Sequence, residues 1–206
     1  MRRIYLKPIV LAWLALLLTA ASVGQSPPQV KDGKISGAGF VITLPPDLAV
    51  EIAATSESEH GFSIDLPPRP VGSVQLRSSR TPTSYRYIAF DTKWDSGDMP
   101  SLDAVVNNIS SNLLDSVPAD LVNAGEISLD GNFPARLGSL PARRLILKYR
   151  NTQHKPAIRQ IIVAYNARKD ASAIVYMLIL NTTEQNFQED VSIFSKVIAG
   201  FKLADQ

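Results

Sequence analysis

The stretch that decides the fold is LPARRLILKYR (140–150), AIRQIIVAYNAR (157–168), SAIVYMLILNT (172–182) and TEQNFQEDVSIFSKVIAGFKL (183–203). The first three segments alternate in a period of two and are rich in Ile, Val, Leu and Tyr, so each reads as a strand. On the first, Leu145, Leu147 and Tyr149 face one way, and Arg144, Ile146, Lys148 and Arg150 the other. On the second, Ile161, Val163 and Tyr165 oppose Ile158, Ile162 and Ala164. On the third, Ile174, Tyr176, Leu178 and Leu180 oppose Val175, Met177 and Ile179. Two strands apolar on both faces belong in a sheet covered on both sides. The links 151–156 and 169–172 are too short for a parallel crossover, so the three strands are antiparallel neighbours. The fourth segment predicts a helix beginning near Thr182 or Thr183, with Phe187, Val191, Phe194 and Ile198 on one face. Gly200 ends it before a short strand, Phe201-Lys202-Leu203.

Upstream, a second helix is predicted over 101–117. Ser101 is its N-cap, Asp103 lies in the first turn, and Leu102, Val105, Val106, Ile109, Leu113 and Val117 form one apolar stripe. Between it and the long strands, residues 120–129 read as a strand and Asp130-Gly131-Asn132 as a turn. Tyr85 to Trp94 reads as a strand, and Pro67 to Ser84 as a polar loop or ragged hairpin carrying Arg69, Arg77 and Arg80. Gly39 to Pro46 and Gly61 to Pro68 echo one another, each a short alternating run stopped by a proline pair. The expected fold class is α+β: an antiparallel sheet covered by helices on both faces, an α/β/α sandwich.

At 206 residues the chain suits a single domain that buries roughly 70% of its unfolded surface. Residues 1–24 have the pattern of a signal peptide: a short basic start, an apolar run over 9–21, and Ser22-Val23-Gly24 before a cleavage expected ahead of Gln25. The apolar run is shorter than the roughly 20 residues a membrane span needs, so no span is expected after cleavage. Arg2-Arg3-Ile4-Tyr5-Leu6-Lys7 resembles the twin-arginine export signature, which makes that route an alternative to ordinary export. Residues 25–37 are expected as a flexible leader and 38–206 as the domain. Removing Arg2, Arg3 and Lys7 from the 21 basic residues leaves 18 against 19 acidic. A chain so balanced lacks the clustered cations that nucleic acid binding requires. The absence of cysteine excludes disulfides, thiolate metal sites and a cysteine nucleophile.

The glycine-aromatic strand ending in Leu-Pro (Gly39 to Pro45), the mid-chain amphipathic helix, the strand start Leu140-Pro141-Ala142-Arg143 and the terminal Gly200-Phe201-Lys202-Leu203 look like the Mog1/PsbP-like superfamily over roughly residues 39 to 203. The resemblance implies a Mog1/PsbP-like sandwich and a binding or assembly role, since members include a photosystem II extrinsic subunit, a Ran-binding protein and exported bacterial proteins. It transfers no functional residue, because no active-site motif matches.

The residues themselves carry little chemistry. The histidines, His60 and His154, stand in polar sequence away from any ligand pattern, and there is no G-x-S-x-G elbow or phosphate-cradling glycine loop. Asp91, Asp95 and Asp98 are three carboxylates leaving a strand, the best polar constellation in the sequence: a candidate calcium set, and the carboxylates a hydrolase reading would use. Acidic turns at strand ends are the ordinary explanation. The basic run Arg143, Arg144, Lys148 and Arg150 requires carboxylate partners or an open face; Arg144, Lys148 and Arg150 are the candidate partner or anion surface. The expectation is therefore an exported, non-catalytic binding or assembly module acting on a protein partner in the cell envelope, without a cofactor. The alternatives are a small-anion carrier with a pocket between sheet and helix and, less favoured by the sequence, a carboxylate hydrolase.

Overall fold

The three long strand segments of the sequence lie side by side in one sheet. In the computed structural model, which describes residues 29–37, 39–45, 50–53, 69–78, 83–93, 100–115, 126–150, 155–167 and 172–204, those segments are β8 (Leu140–Arg150), β9 (Pro156–Ala167) and β10 (Ser172–Thr183). They are consecutive antiparallel neighbours, with Arg144 opposite Ile162 and Ile162 opposite Leu178. Around them a seven-stranded sheet runs in the order β4-β5-β6-β10-β9-β8-β7, adding β4 (Val50–Ala53), β5 (Arg69–Ser78), β6 (Ser84–Lys93) and β7 (Ser128–Leu137).

Each face of this sheet has its own core. Helix α1 (Leu102–Asp115) lays Val105, Val106, Ile109 and Leu113 on Ile88, Leu145, Ile161, Val163, Val175, Met177 and Ile179. Its start is the expected one: the Ser101 Oγ accepts the Ala104 N–H at 3.2 Å. The opposite face is covered by helix α2 (Phe187–Ala199) together with a four-stranded sheet, β1 (Gln29–Lys31), β2 (Lys34–Gly37), β3 (Phe40–Thr43) and β11 (Phe201–Leu203). The sandwich therefore has a helix on one side and a helix plus a small sheet on the other. Phe40 seals that layer, its ring 5.5 Å from Phe201 and parallel to it, and 4.5 Å from Tyr87. Such pairs contribute about 0.5–1.5 kcal/mol each beyond the area they bury.

Four local expectations are corrected. Residues 29–37, expected within a flexible leader, form the β1–β2 hairpin, because Asp32 and Gly33 both take positive φ (50° and 69°) as a two-residue type I′ turn requires, and Ile35 is buried. Pro67 to Ser84 contains a full strand, β5, with a register irregularity between Pro70 and Gly72. Thr182 and Thr183 finish β10, and α2 begins at Phe187 after a turn. Asp130-Gly131-Asn132 lies inside β7. The Gly61–Pro68 echo, His60, His154 and the signal segment lie outside the described residues. Among the described residues, no helix is long and apolar enough to cross a membrane.

Two phenols on β6, Tyr85 and Tyr87, are buried with hydroxyls that find no hydrogen-bond partner among the described residues. Burial raises both phenol pKa values, for Tyr85 with help from Asp190 and Glu189, so both stay neutral. A buried unpaired hydroxyl costs about 1–3 kcal/mol. Tyr87→Phe is accordingly expected to leave stability unchanged or raise it by about 1 kcal/mol, read as the urea midpoint. A loss of that size would instead require an ordered water on the hydroxyl.

Candidate functional site

Strand β8 carries the anomaly seen in the sequence, a row of cations alternating with apolar residues. Its α1 side is resolved within the protein. Arg143 reaches Asp103 in the first turn of α1 with two bonds, Nε to Oδ1 at 2.6 Å and a terminal nitrogen to Oδ2 at 3.0 Å. The bonds from Arg143 hold the Asp103 carboxyl below the usual carboxylate range, and Asn132 adds a further hydrogen bond. Leu145 and Leu147 are buried beside them. Arg143 is thus a structural residue tying the helix to the sheet.

The other side of β8 begins buried at Ala142 and then emerges: Arg144 is exposed, Ile146 half-buried, Lys148 and Arg150 exposed. Cover by α2 and the small sheet reaches Ala142, Ile162 and Ala164. The three cations expected as a surface therefore do share one face of one strand.

Strand β7 completes this surface through a bulge. Asp130 opposes Ile146 but Phe133 opposes Arg144, so three steps along β7 match two along β8. Asn132 takes the left-handed conformation (φ 66°) that absorbs the extra residue. The bulge switches the phase of the strand: Leu129 packs in the α1 core, whereas Ala135 and Leu137 pack in the opposite one. It also delivers Phe133, 42% exposed, to the same face as Arg144, whose guanidinium carbon stands 5.5 Å from the ring centroid. Phe133 escapes sequence reading because it follows an apparent turn; a bulky aromatic just after Asp-Gly-Asn was the available signal.

At the far end of the stripe, Lys148, Tyr149 and Arg150 line an open recess of about 340 Å³ with Glu126, Pro156, Ala157, Ile158 and Glu184. The Tyr149 ring is backed by the Arg159 guanidinium at 5.7 Å, and Arg159 donates from Nε to Asn181 Oδ1 at 2.5 Å. Burial lowers the Arg159 pKa, with Tyr149 opposing the shift. Among the described residues, the recess carries two carboxylates, Glu126 and Glu184, against two cations, Lys148 and Arg150. It lies at the strand ends, not between sheet and helix where an anion pocket was expected. Lys148 also stands 3.8 Å from Asp130, with both side chains more than half exposed, so that pair is weak.

Of the calcium candidates, Asp95 and Asp98 lie outside the described residues, and Asp91 is placed only by its backbone, opposite Ile174 and Arg69. Among the described residues, no cluster of three or more His, Cys, Asp or Glu side chains could hold a metal ion.

No family model matches the sequence, and no curated protein does. Among solved structures, the chain superposes on LpqN of Mycobacterium tuberculosis, described as involved in cell envelope biogenesis, with a TM-score of 0.54. The identity is 12%, over 81% of this chain and 83% of LpqN. The chain has the Mog1/PsbP-like fold. Two further Mog1/PsbP-like structures align more loosely. Cyanobacterial PsbP of Synechocystis sp. PCC 6803 gives a TM-score of 0.44 at 12% identity, covering 90% of this chain and 97% of that one. The Saccharomyces cerevisiae Ran-binding protein Mog1p gives 0.43 at 9%, covering 81% and 91%.

Proposed function

We propose that this chain is an exported, non-catalytic binding module of the cell envelope that holds a protein partner on the exposed face of β8. The observation that carries the reading is the open stripe itself: Arg144, Lys148 and Arg150 exposed and Ile146 half-buried beside the buried β9, with the exposed β7 and its Phe133 on the other side. Aromatic and arginine side chains are the residues that most often dominate protein interfaces. Export is supported by the signal-peptide pattern of residues 1–24. The cell-envelope setting is suggested by the description of LpqN, at a level of identity that carries the fold alone.

Placing a photo-crosslinking residue at Ile146, with a control at Asn107 on the exposed side of α1, tests this in the producing cell. A protein adduct is expected from position 146 and none from 107. Equal capture at both positions, or none at either, would sink the reading.

A further inference from the structure

The stripe has a shape as well as a charge. Same-face residues on a strand repeat at about 7 Å, so Arg144 to Arg150 spans about 20 Å. A partner chain in extended conformation presents alternate side chains at that same repeat. Two of the three cations are arranged for exchange or for immediate contact. Arg144 is held over the Phe133 ring, which fixes its guanidinium without neutralising it. Lys148 has only its long, exposed contact to Asp130. Between these two cations Ile146 is half-buried, and Phe133 stands on the same face opposite Arg144.

The rim decides the kind of partner. Glu126, Asp130 and Glu184 equal the three cations in number. A surface so balanced has little net field for an anionic membrane, which responds to summed charge over a Debye length. A segment with carboxylates at fixed positions instead responds to the local row of cations, which acidic side chains at the right spacing can meet while avoiding the rim.

We infer that the β8 stripe seats an extended acidic segment of a partner protein, with carboxylates at alternate positions on Arg144, Lys148 and Arg150 and an apolar side chain on Ile146 and Phe133. The inference rests on the protein-binding reading above and adds the chemistry of the partner.

The test uses the full chain with the crosslinker at Ile146 and maps the captured residues by mass spectrometry, alone and in combination with Arg144→Glu and Lys148→Glu. Both substituted side chains are exposed, and an unchanged urea midpoint verifies that the double variant folds. The inference expects the captured segment to be acidic with alternating carboxylates. It also expects capture to fall by about tenfold or more in the double variant, as reversing two partly exposed ion pairs implies. Arg136→Glu, on the other side of the bulged strand, should leave capture intact. Capture of a neutral or basic segment, or capture that the double variant does not weaken, would overturn the acidic partner and leave protein binding standing. An anionic lipid adduct in place of protein, or no adduct, would overturn both.

Discussion

Asp190→Ala is expected to destabilise the protein by about 3 kcal/mol, the largest loss from any single polar substitution proposed for it. Asp190 is buried in the first turn of α2, and its Oδ2 accepts the Thr83 hydroxyl at 2.6 Å and the Thr182 hydroxyl as well. Thr83 stands just before β6 and Thr182 near the end of β10, so one carboxylate joins the helix to two neighbouring strands. Alanine would leave the buried Thr83 hydroxyl without its acceptor and the Thr182 hydroxyl with only a long bond to the Thr183 carbonyl at 3.4 Å, at about 1–3 kcal/mol for each lost bond, and would remove a negative charge from the positive end of the helix, worth about 0.3–1 kcal/mol. Relief of the carboxylate's own desolvation offsets part of this. The Asn186 side chain makes no cap bond, so the helix start has no substitute for this anchor. Urea unfolding with an unchanged slope would measure the loss. Asp190→Asn keeps an acceptor and should lose less than half as much; equal losses would show that charge alone matters.

A comparable loss, about 3 kcal/mol, is expected from Gly138→Ala. Gly138 and Ser139 make the two-residue turn between β7 and β8, with Gly138 at φ 56°. An L side chain there costs about 1–2 kcal/mol in backbone strain. The added Cβ would also lie 2.4 Å from the carbonyl oxygen of Phe201, a backbone atom in β11 that no rotamer change can move. Overpacking of that kind costs about 1–3 kcal/mol. Gly200→Ala isolates the second effect, because φ at Gly200 is an ordinary −75° and a new Cβ would meet the Thr43 carbonyl oxygen at 2.2 Å. At that φ alanine would favour folding by about 0.4–1 kcal/mol through the smaller entropy of the unfolded chain, so a net loss in thermal or urea unfolding would show the contact prevailing. A gain in stability at either position would mean that β11 and β3 can shift away without cost.

How far the sequence could be read follows from which signals are local. The long strands β8 to β10 and both of their faces were legible because Ile161 to Ala164 and Ile174 to Leu180 are unbroken apolar runs that only a strand buried on both faces accommodates at that length. Helix α1 was legible from its stripe and from Ser101. Features set by a switch of phase were not. Asp130-Gly131-Asn132 has turn chemistry, and the same left-handed residue that closes a turn also makes a bulge; only the opposite strand distinguishes them. Asp32-Gly33 is a strong turn pair, but Val30 and Ile35 are the only sizeable apolar residues flanking it, too few to announce strands. Thr182 and Thr183 look like helix caps, yet the Thr182 hydroxyl serves Asp190 eight residues on. For the site, the cations of β8 stood out because charge interrupts an apolar pattern. Their separation into Arg143, bound by Asp103, and the exposed Arg144 required the third dimension.

The bulge in β7 also governs what copies of this chain can do to one another. β7 is an outer strand of a seven-stranded antiparallel sheet, and a straight outer strand ten residues long would offer a ladder for another chain to extend. Here the extra residue bends the ladder, and one position further on Pro134 has no N–H to donate. Growth of one sheet from molecule to molecule along this edge is interrupted, so the fold can leave a phenylalanine and a row of side chains open on the adjoining face while its backbone resists polymerisation.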